Sequence, residues 1–272
     1  MRLILFIVRI AKEASKDDLF AMAGQLTYKM LVAFFPFLIF LISLLGFANL
    51  DARYWMQTLS DAMPAEAGRL LEVFFDEIIN TPSVGVLSTS LLVSLYNASS
   101  GFFVVIRCVN QTYGYKNCRN FFLNQLISIA LVIMFAMSLT SMLLLLIFND
   151  RIFAFAESLM PTAPYVGPMF ELIGFLICAG VLLFTTMMIY KLSNCRNPRL
   201  LSVMPGAIVT VLLWVVSSEL FNIYINNFAR YSKVYGSIAG VFILIMWLNI
   251  ISTSLLLGSE INSMLDKNAE SQ

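Results

Sequence analysis

The chain has 272 residues, 60% hydrophobic and 12% charged, with a net charge of +1, no histidine and a mean hydropathy of +0.85. Soluble domains carry about a quarter charged residues, so this composition excludes a water-soluble globule and points to an all-α polytopic membrane protein. The near-neutral charge argues against a nucleic-acid partner. Without histidine, neither a His-based catalytic triad nor an HExxH zinc site can be built.

The opening segment, residues 1–16, places Leu3, Phe6, Ile7, Ile10 and Ala14 on one helical face and Arg9, Lys12 and Lys16 on the other. Arg9 cuts the apolar run too short for a signal peptide, and an interfacial helix is expected. Six apolar stretches reach the roughly 20 residues a spanning helix needs: 29–50, 84–106, 121–148, 169–190, 200–225 and 236–261. The whole chain, 1–272, reads as a single integral-membrane domain. Gln25, Tyr28 and Lys29 lead into the first span, and Pro36 within it is expected to kink it. Residues 51–83 mix Asp51, Asp61, Glu66, Glu72, Asp76 and Glu77 with Tyr54, Trp55, Phe74 and Phe75. An outer amphipathic segment at the membrane surface is expected there. Cys108, Cys118, Cys178 and Cys195 form no CxxC pair and are expected to be packing residues or reduced loop thiols.

Lys and Arg gather on alternate connections. The N-terminal segment, the second–third and fourth–fifth connections and the tail hold twelve of them, and the other side holds five. By the positive-inside rule both termini are cytoplasmic.

Polar residues recur within the spans. Ser90, Ser94, Asn97 and Gly101 share one face of the second span, and Glu171, Gly174, Cys178 and Thr185 one face of the fourth. Glu219, Asn222 and Asn226 align on the fifth; Asn249, Ser252, Thr253 and Glu260 align on the sixth. A charged group at mid-membrane costs about 2.5–3.5 kcal/mol on insertion scales, so such groups face protein or water. Two readings stay open: a hydrated substrate path lined by these residues, or polar contacts that pack the helices. Glu219, the deeper carboxylate, is the expected proton-coupling group, whereas Glu260 is expected at a watery rim. Gly236 and Gly240 offer a small-xxx-small packing face.

Several motifs in order resemble the YihY/BrkB family of bacterial inner-membrane proteins. They are AGQLTYKMLVAFFPFLIF (Ala23–Phe40), VNQTYGYK with Asn110 and Tyr113, PGAIVTVLLW from Pro205 and Gly206 to Trp214, and the last span. The last contributes Tyr235, Gly236, Trp247, Gly258, Glu260 and Asn262. Lys29 and Leu95 depart from the family pattern. The resemblance implies a six-span bundle in the inner membrane with cytoplasmic termini, and suggests a role in envelope transport. The family has also carried a ribonuclease label. Here the cytoplasmic connections Arg107–Asn120 and Lys191–Arg199 contain no Asp or Glu, so a metal-carboxylate nuclease is not expected. The expected function is a transporter or lipid-handling protein with an amphiphilic substrate; the alternative is a non-transporting scaffold. No enzyme activity, cofactor or metal is expected. Expected partners are the bilayer, a lipid-like substrate and a second copy of the chain.

Overall fold

Long apolar runs become long helices, some longer than periodicity alone suggests. The computed structural model describes residues 9, 12–47, 84–115, 118–159, 166–235 and 237–270. In chain order these form α1 (Leu19–Phe47), α2 (Val84–Thr112), α3 (Phe121–Leu159) and α4 (Val166–Ser193). A 3-10 turn, Leu200–Val203, then leads into α5 (Met204–Tyr235) and α6 (Ser237–Glu270). Among the described residues there is no strand. Among the described residues, five stretches are long and apolar enough to cross a membrane: Val84–Thr112, Phe121–Met142, Leu172–Ser193, Leu200–Phe221 and Val241–Lys267. The apolar run Leu19–Phe34 at the start of α1 is shorter. The protein is therefore an all-α, multi-pass membrane protein.

The helices run beyond the expected spans, furthest in three places. First, α1 begins at Leu19 rather than 29, so Gln25, Tyr28 and Lys29 lie inside it. The helical residues 12–16 end in a turn at Asp17 and Asp18, and Asp18 takes a left-handed φ of 52°. The Asp18 carbonyl then accepts the Met22 N–H at 3.0 Å and starts the new helix. Lys29 is half-buried beside Gly101 of α2, where its long stem can pack while its ammonium reaches outward. Second, α3 runs to Leu159, about 58 Å at 1.5 Å per residue. Third, α5 continues to Tyr235 rather than 225. Neither extension contains Gly or Pro, the residues that most oppose helix propagation. The helix assignment of α1 also continues through Pro36.

Of the expected interfacial helix, residues 1–8, 10 and 11 lie outside the described residues, as does the whole segment 51–83. In the described part, Ala14 is buried while Lys12 and Lys16 are exposed. Gly236 also lies outside the described residues, and so do the side-chain surroundings of Tyr235, Asn222, Asn226 and Gly240.

In the bundle α1 packs chiefly on α2 and α6, α5 on α6, and α3 on α4. Burial is concentrated at one end. Buried side chains occupy 185–193 of α4, 203–211 around the start of α5, and 248–264 of α6. None of the described side chains in 172–184, 212–224 or 241–247 is buried. The packed end also gathers Lys16, Arg107, Arg119, Lys191, Arg196, Arg199 and Lys267, and is called the basic end below.

The closest helix approach lies at that end. A Cβ on Gly206 would overlap the Gly258 carbonyl oxygen and the Asn262 amide. One on Gly258 would overlap Thr210 Oγ1, the Tyr190 hydroxyl and the Gly206 carbonyl. At each glycine one obstructing atom is a backbone carbonyl oxygen, which cannot rotate aside. Gly206→Ala and Gly258→Ala are each expected to destabilise by about 1–3 kcal/mol or more. Gly24→Ala, whose added Cβ meets nothing within 4 Å, is expected to leave the thermal midpoint in detergent unchanged or slightly raised.

Candidate functional site

The close approach of α5 and α6 sets up the polar structure of the basic end. The first N–H groups of any helix lack intrahelical acceptors. At α5 one of them is supplied from outside: Asn262 Oδ1 accepts the Gly206 N–H at 2.7 Å, while Asn262 Nδ2 donates to the Val203 carbonyl at 3.0 Å. An amide side chain can serve a donor and an acceptor at once. From α4, the Tyr190 hydroxyl donates to the Leu255 carbonyl at 2.6 Å and lies 2.6 Å from Thr210 Oγ1. Farther along, Trp214 Nε1 donates to the Ile251 carbonyl at 3.1 Å.

A second set of contacts ties α2 to α4 and α6. Gly114, at φ 78°, ends α2 with paired bonds from the Gly114 N–H to Gln111 (2.9 Å) and from the Tyr115 N–H to Asn110 (2.8 Å). This is a Schellman termination. It leaves the Asn110 side chain facing the end of α4. Its Nδ2 donates to the Ser193 and Ile106 carbonyls, both at 2.8 Å, and its Oδ1 accepts the Cys195 N–H at 2.9 Å. Thr112 Oγ1 lies 2.7 Å from Ser259 Oγ, and Ser263 Oγ donates to the Thr112 carbonyl at 2.8 Å. The Arg119 guanidinium donates to the Leu192 and Asn194 carbonyls at 2.7 and 2.6 Å, a cation on the electronegative end of α4. Arg196 stands 5.2 Å over the Tyr115 ring. Cys118 and Cys195 form a disulfide across the same two connections, correcting the expectation of reduced loop thiols. Sequence alone does not pair cysteines 77 residues apart.

The polar stripe of α6 divides between two neighbours. Asn249 Nδ2 donates to Thr27 Oγ1 of α1 at 3.3 Å, and Thr27 Oγ1 lies 3.3 Å from Ser252 Oγ. Thr253 is half-buried. Glu260, expected at a watery rim, is 0% exposed, and neither of its carboxyl oxygens has a hydrogen-bond partner among the described residues. Glu219, expected to be the deep carboxylate, is exposed on the side of α5. Asn97 donates to Val93 of its own helix at 2.9 Å, and Ser94, although buried, bonds Leu91 of its own helix. Among the described residues no hydrogen bond joins Asn97, Glu219 and Asn249. Gln25 and Tyr28 are exposed, Pro36 and Trp247 half-buried, and Pro205 exposed.

A family model described as Virulence factor BrkB matches residues 10–272. The chain belongs to the BrkB family. A Bacillus subtilis (strain 168) protein named as ribonuclease-like, YfkH, is 30% identical over 245 residues, covering 90% of this chain and 89% of its own. A UPF0761 membrane protein of Actinobacillus pleuropneumoniae is 25% identical over 277 residues, covering 96% and 94%. Another UPF0761 membrane protein, from Chlorobium limicola, is 26% identical over 92% of this chain and 56% of its own length. No solved structure matches.

In this BrkB chain the motif residues Asn110, Tyr113, Gly206, Gly258, Glu260 and Asn262 are all buried at the basic end. The rest of the network, Thr27, Thr112, Arg119, Tyr190, Ser193, Thr210, Ser259 and Ser263, is not singled out by any motif in the sequence. The pair Gly206 and Thr210, one turn apart, and Gly258 beside Ser259 were the available signals. Asn262→Leu removes both the acceptor for Gly206 and the donor to Val203. Each orphaned buried group costs about 1–3 kcal/mol, so a clear fall in thermal midpoint is expected, larger than for Asn97→Leu, whose bond is to its own helix.

Proposed function

We propose that this protein handles an amphiphilic, lipid-like molecule in the bacterial inner membrane, with the basic end and both termini on the cytoplasmic side. The observation that carries this reading is a groove of about 450 Å³ between α3 and α4. Met134, Met137 and Phe184 line it together with Ser138, Ser141 and Thr185. The three hydroxyls already donate to carbonyls of their own helices, so the surface offered is apolar and suits an acyl chain. Methionine side chains adapt their shape to such a guest.

The polarised packing of the bundle supports movement as well as binding. Helices clamped at one end and loosely packed toward the other can change separation by pivoting at the clamp. A substrate path past Ser94, Asn97 and Glu219 belongs to this proposal, since those residues lie in the less buried half. The scaffold reading rests on the interlock of the basic end, which would suit a rigid docking platform. The ribonuclease-like name of the Bacillus relative is not carried over. Among the described residues no three Asp, Glu, Cys or His side chains gather to hold a metal ion, and no enzymatic role is proposed.

A phospholipid carrying a photoreactive group on its acyl chain tests the reading in proteoliposomes. Crosslinks are expected to concentrate on the α3 peptide containing Met134 and Met137, and to fall several-fold in Met137→Trp, which fills the groove. Crosslinks spread evenly over all lipid-facing helices would leave the scaffold reading in possession.

A further inference from the structure

At the basic end α3 and α4 are joined through a covalent bond. Cys118 lies three residues before α3 and Cys195 two residues after α4, and their disulfide ties together the two helices that wall the groove. Both cysteines stand outside the membrane-crossing stretches. Cys118 is exposed and Cys195 half-buried, so a water-soluble reagent can reach the bond. The other two cysteines are poorly placed to exchange with it, Cys108 being buried in α2 and Cys178 lying midway along α4.

The same two connections are also held by contacts that do not involve sulfur. Asn110 Nδ2 donates to the Ser193 carbonyl, Asn110 Oδ1 accepts the Cys195 N–H, and the Arg119 guanidinium donates to the Leu192 and Asn194 carbonyls. Asn110 Oδ1 lies 3.8 Å from Cys118 Sγ as well. A thiol at Cys118 therefore meets an acceptor already fixed by its bond to the other cysteine. The two Cα atoms are 6.1 Å apart, a usual separation for a bridged pair. Opening the bond thus leaves two thiols side by side, and re-closing it is an intramolecular step. Arg119 and Arg196 directly follow the two cysteines in the chain, and neighbouring cations favour the thiolate that carries out exchange.

We propose that Cys118 and Cys195 form a site of reversible thiol–disulfide exchange with small thiols, and that their bond limits how far α3 and α4 can part at the basic end. The thiolate of a small thiol attacks the exposed Cys118 sulfur and forms a mixed disulfide there. Cys195 leaves as a thiolate and takes up a proton. A second small thiol then displaces Cys118, so two small thiols are oxidised to one disulfide while the pair is reduced to two thiols. The small disulfide drives the same steps in reverse. With the bond open, α3 and α4 are held at this end by hydrogen bonds and packing alone, and the groove is freer to widen. The inference holds whatever molecule the groove takes.

The test uses the full-length wild-type chain in lipid nanodiscs, poised with reduced or oxidised glutathione. Maleimide labelling followed by peptide mass analysis reads which thiols are free, and hydrogen exchange reads the backbone. Reduced glutathione is expected to free Cys118 and Cys195 without denaturant, and oxidised glutathione to close them again. Exchange at the start of α3 and the end of α4 is expected to rise several-fold in the reduced state, while residues 203–211 and 255–263 stay unchanged. The double variant Cys118→Ser, Cys195→Ser is expected to exchange like the reduced protein under both conditions. A bond that yields to glutathione only after the protein unfolds overturns the proposal, and so does opening without faster exchange in α3 and α4. The glutathione comparison needs no variant, so it decides the matter even if the serine protein does not fold.

Discussion

The contact of Gly206 with Gly258 is the constraint on which the rest of the basic end depends. Helices in a membrane gain little from burying apolar surface against one another, because lipid is equally apolar. They associate through close packing and interhelical hydrogen bonds. With no side chain at either position, α5 and α6 approach until backbone meets backbone. That separation brings Asn262 within reach of the unsatisfied start of α5 and leaves room for the Tyr190 hydroxyl to lie between Thr210 and Leu255. Through Tyr190 the clamp extends to α4, through Ser259 and Ser263 to α2, and through Ser252 to α1. One steric allowance thus organises five helices at the same end.

Much of the helical architecture was legible in the chain because long apolar runs admit few alternatives in lipid. Helix ends were less so. Leu19 as the start of α1 depends on Asp18 adopting a left-handed backbone, between the buried side chains of Ala14 and Leu19. The motif residues Asn110, Gly206, Gly258 and Asn262 were recognisable by their order, and they form the clamp. Their partners were hidden, because Tyr190, Thr210 and Thr112 acquire meaning only when separate helices are brought together. The two carboxylates show why depth along a span is a poor guide. Glu219 lies farther into its helix yet points outward, whereas Glu260 lies near an end yet is fully buried. Sequence position gives depth; only packing gives direction.

The distribution of burial then connects structure to behaviour. Described residues of α4, α5 and α6 distant from the clamp contribute no buried side chains, so little resists relative motion there beyond lipid and whatever occupies the intervening space. The groove beside Met137 and Phe184 lies along α3 about 14–30 Å from Phe121, beyond the tightest contacts. A fixed end joined to a compliant one is the arrangement a membrane protein needs to admit a long amphiphile without losing its fold.

Distances from spin labels on α5, or on the 3-10 turn that leads into it, to labels on α6 test this division most directly. One pair, at Leu201 and Leu265, brackets the clamp; a second, at Val216 and Phe242, lies beyond it, all four positions being exposed. In nanodiscs the account predicts a single narrow distance distribution for the first pair and a broad or multi-peaked one for the second. Equally narrow distributions at both pairs, or a broad one across the clamp, would contradict it.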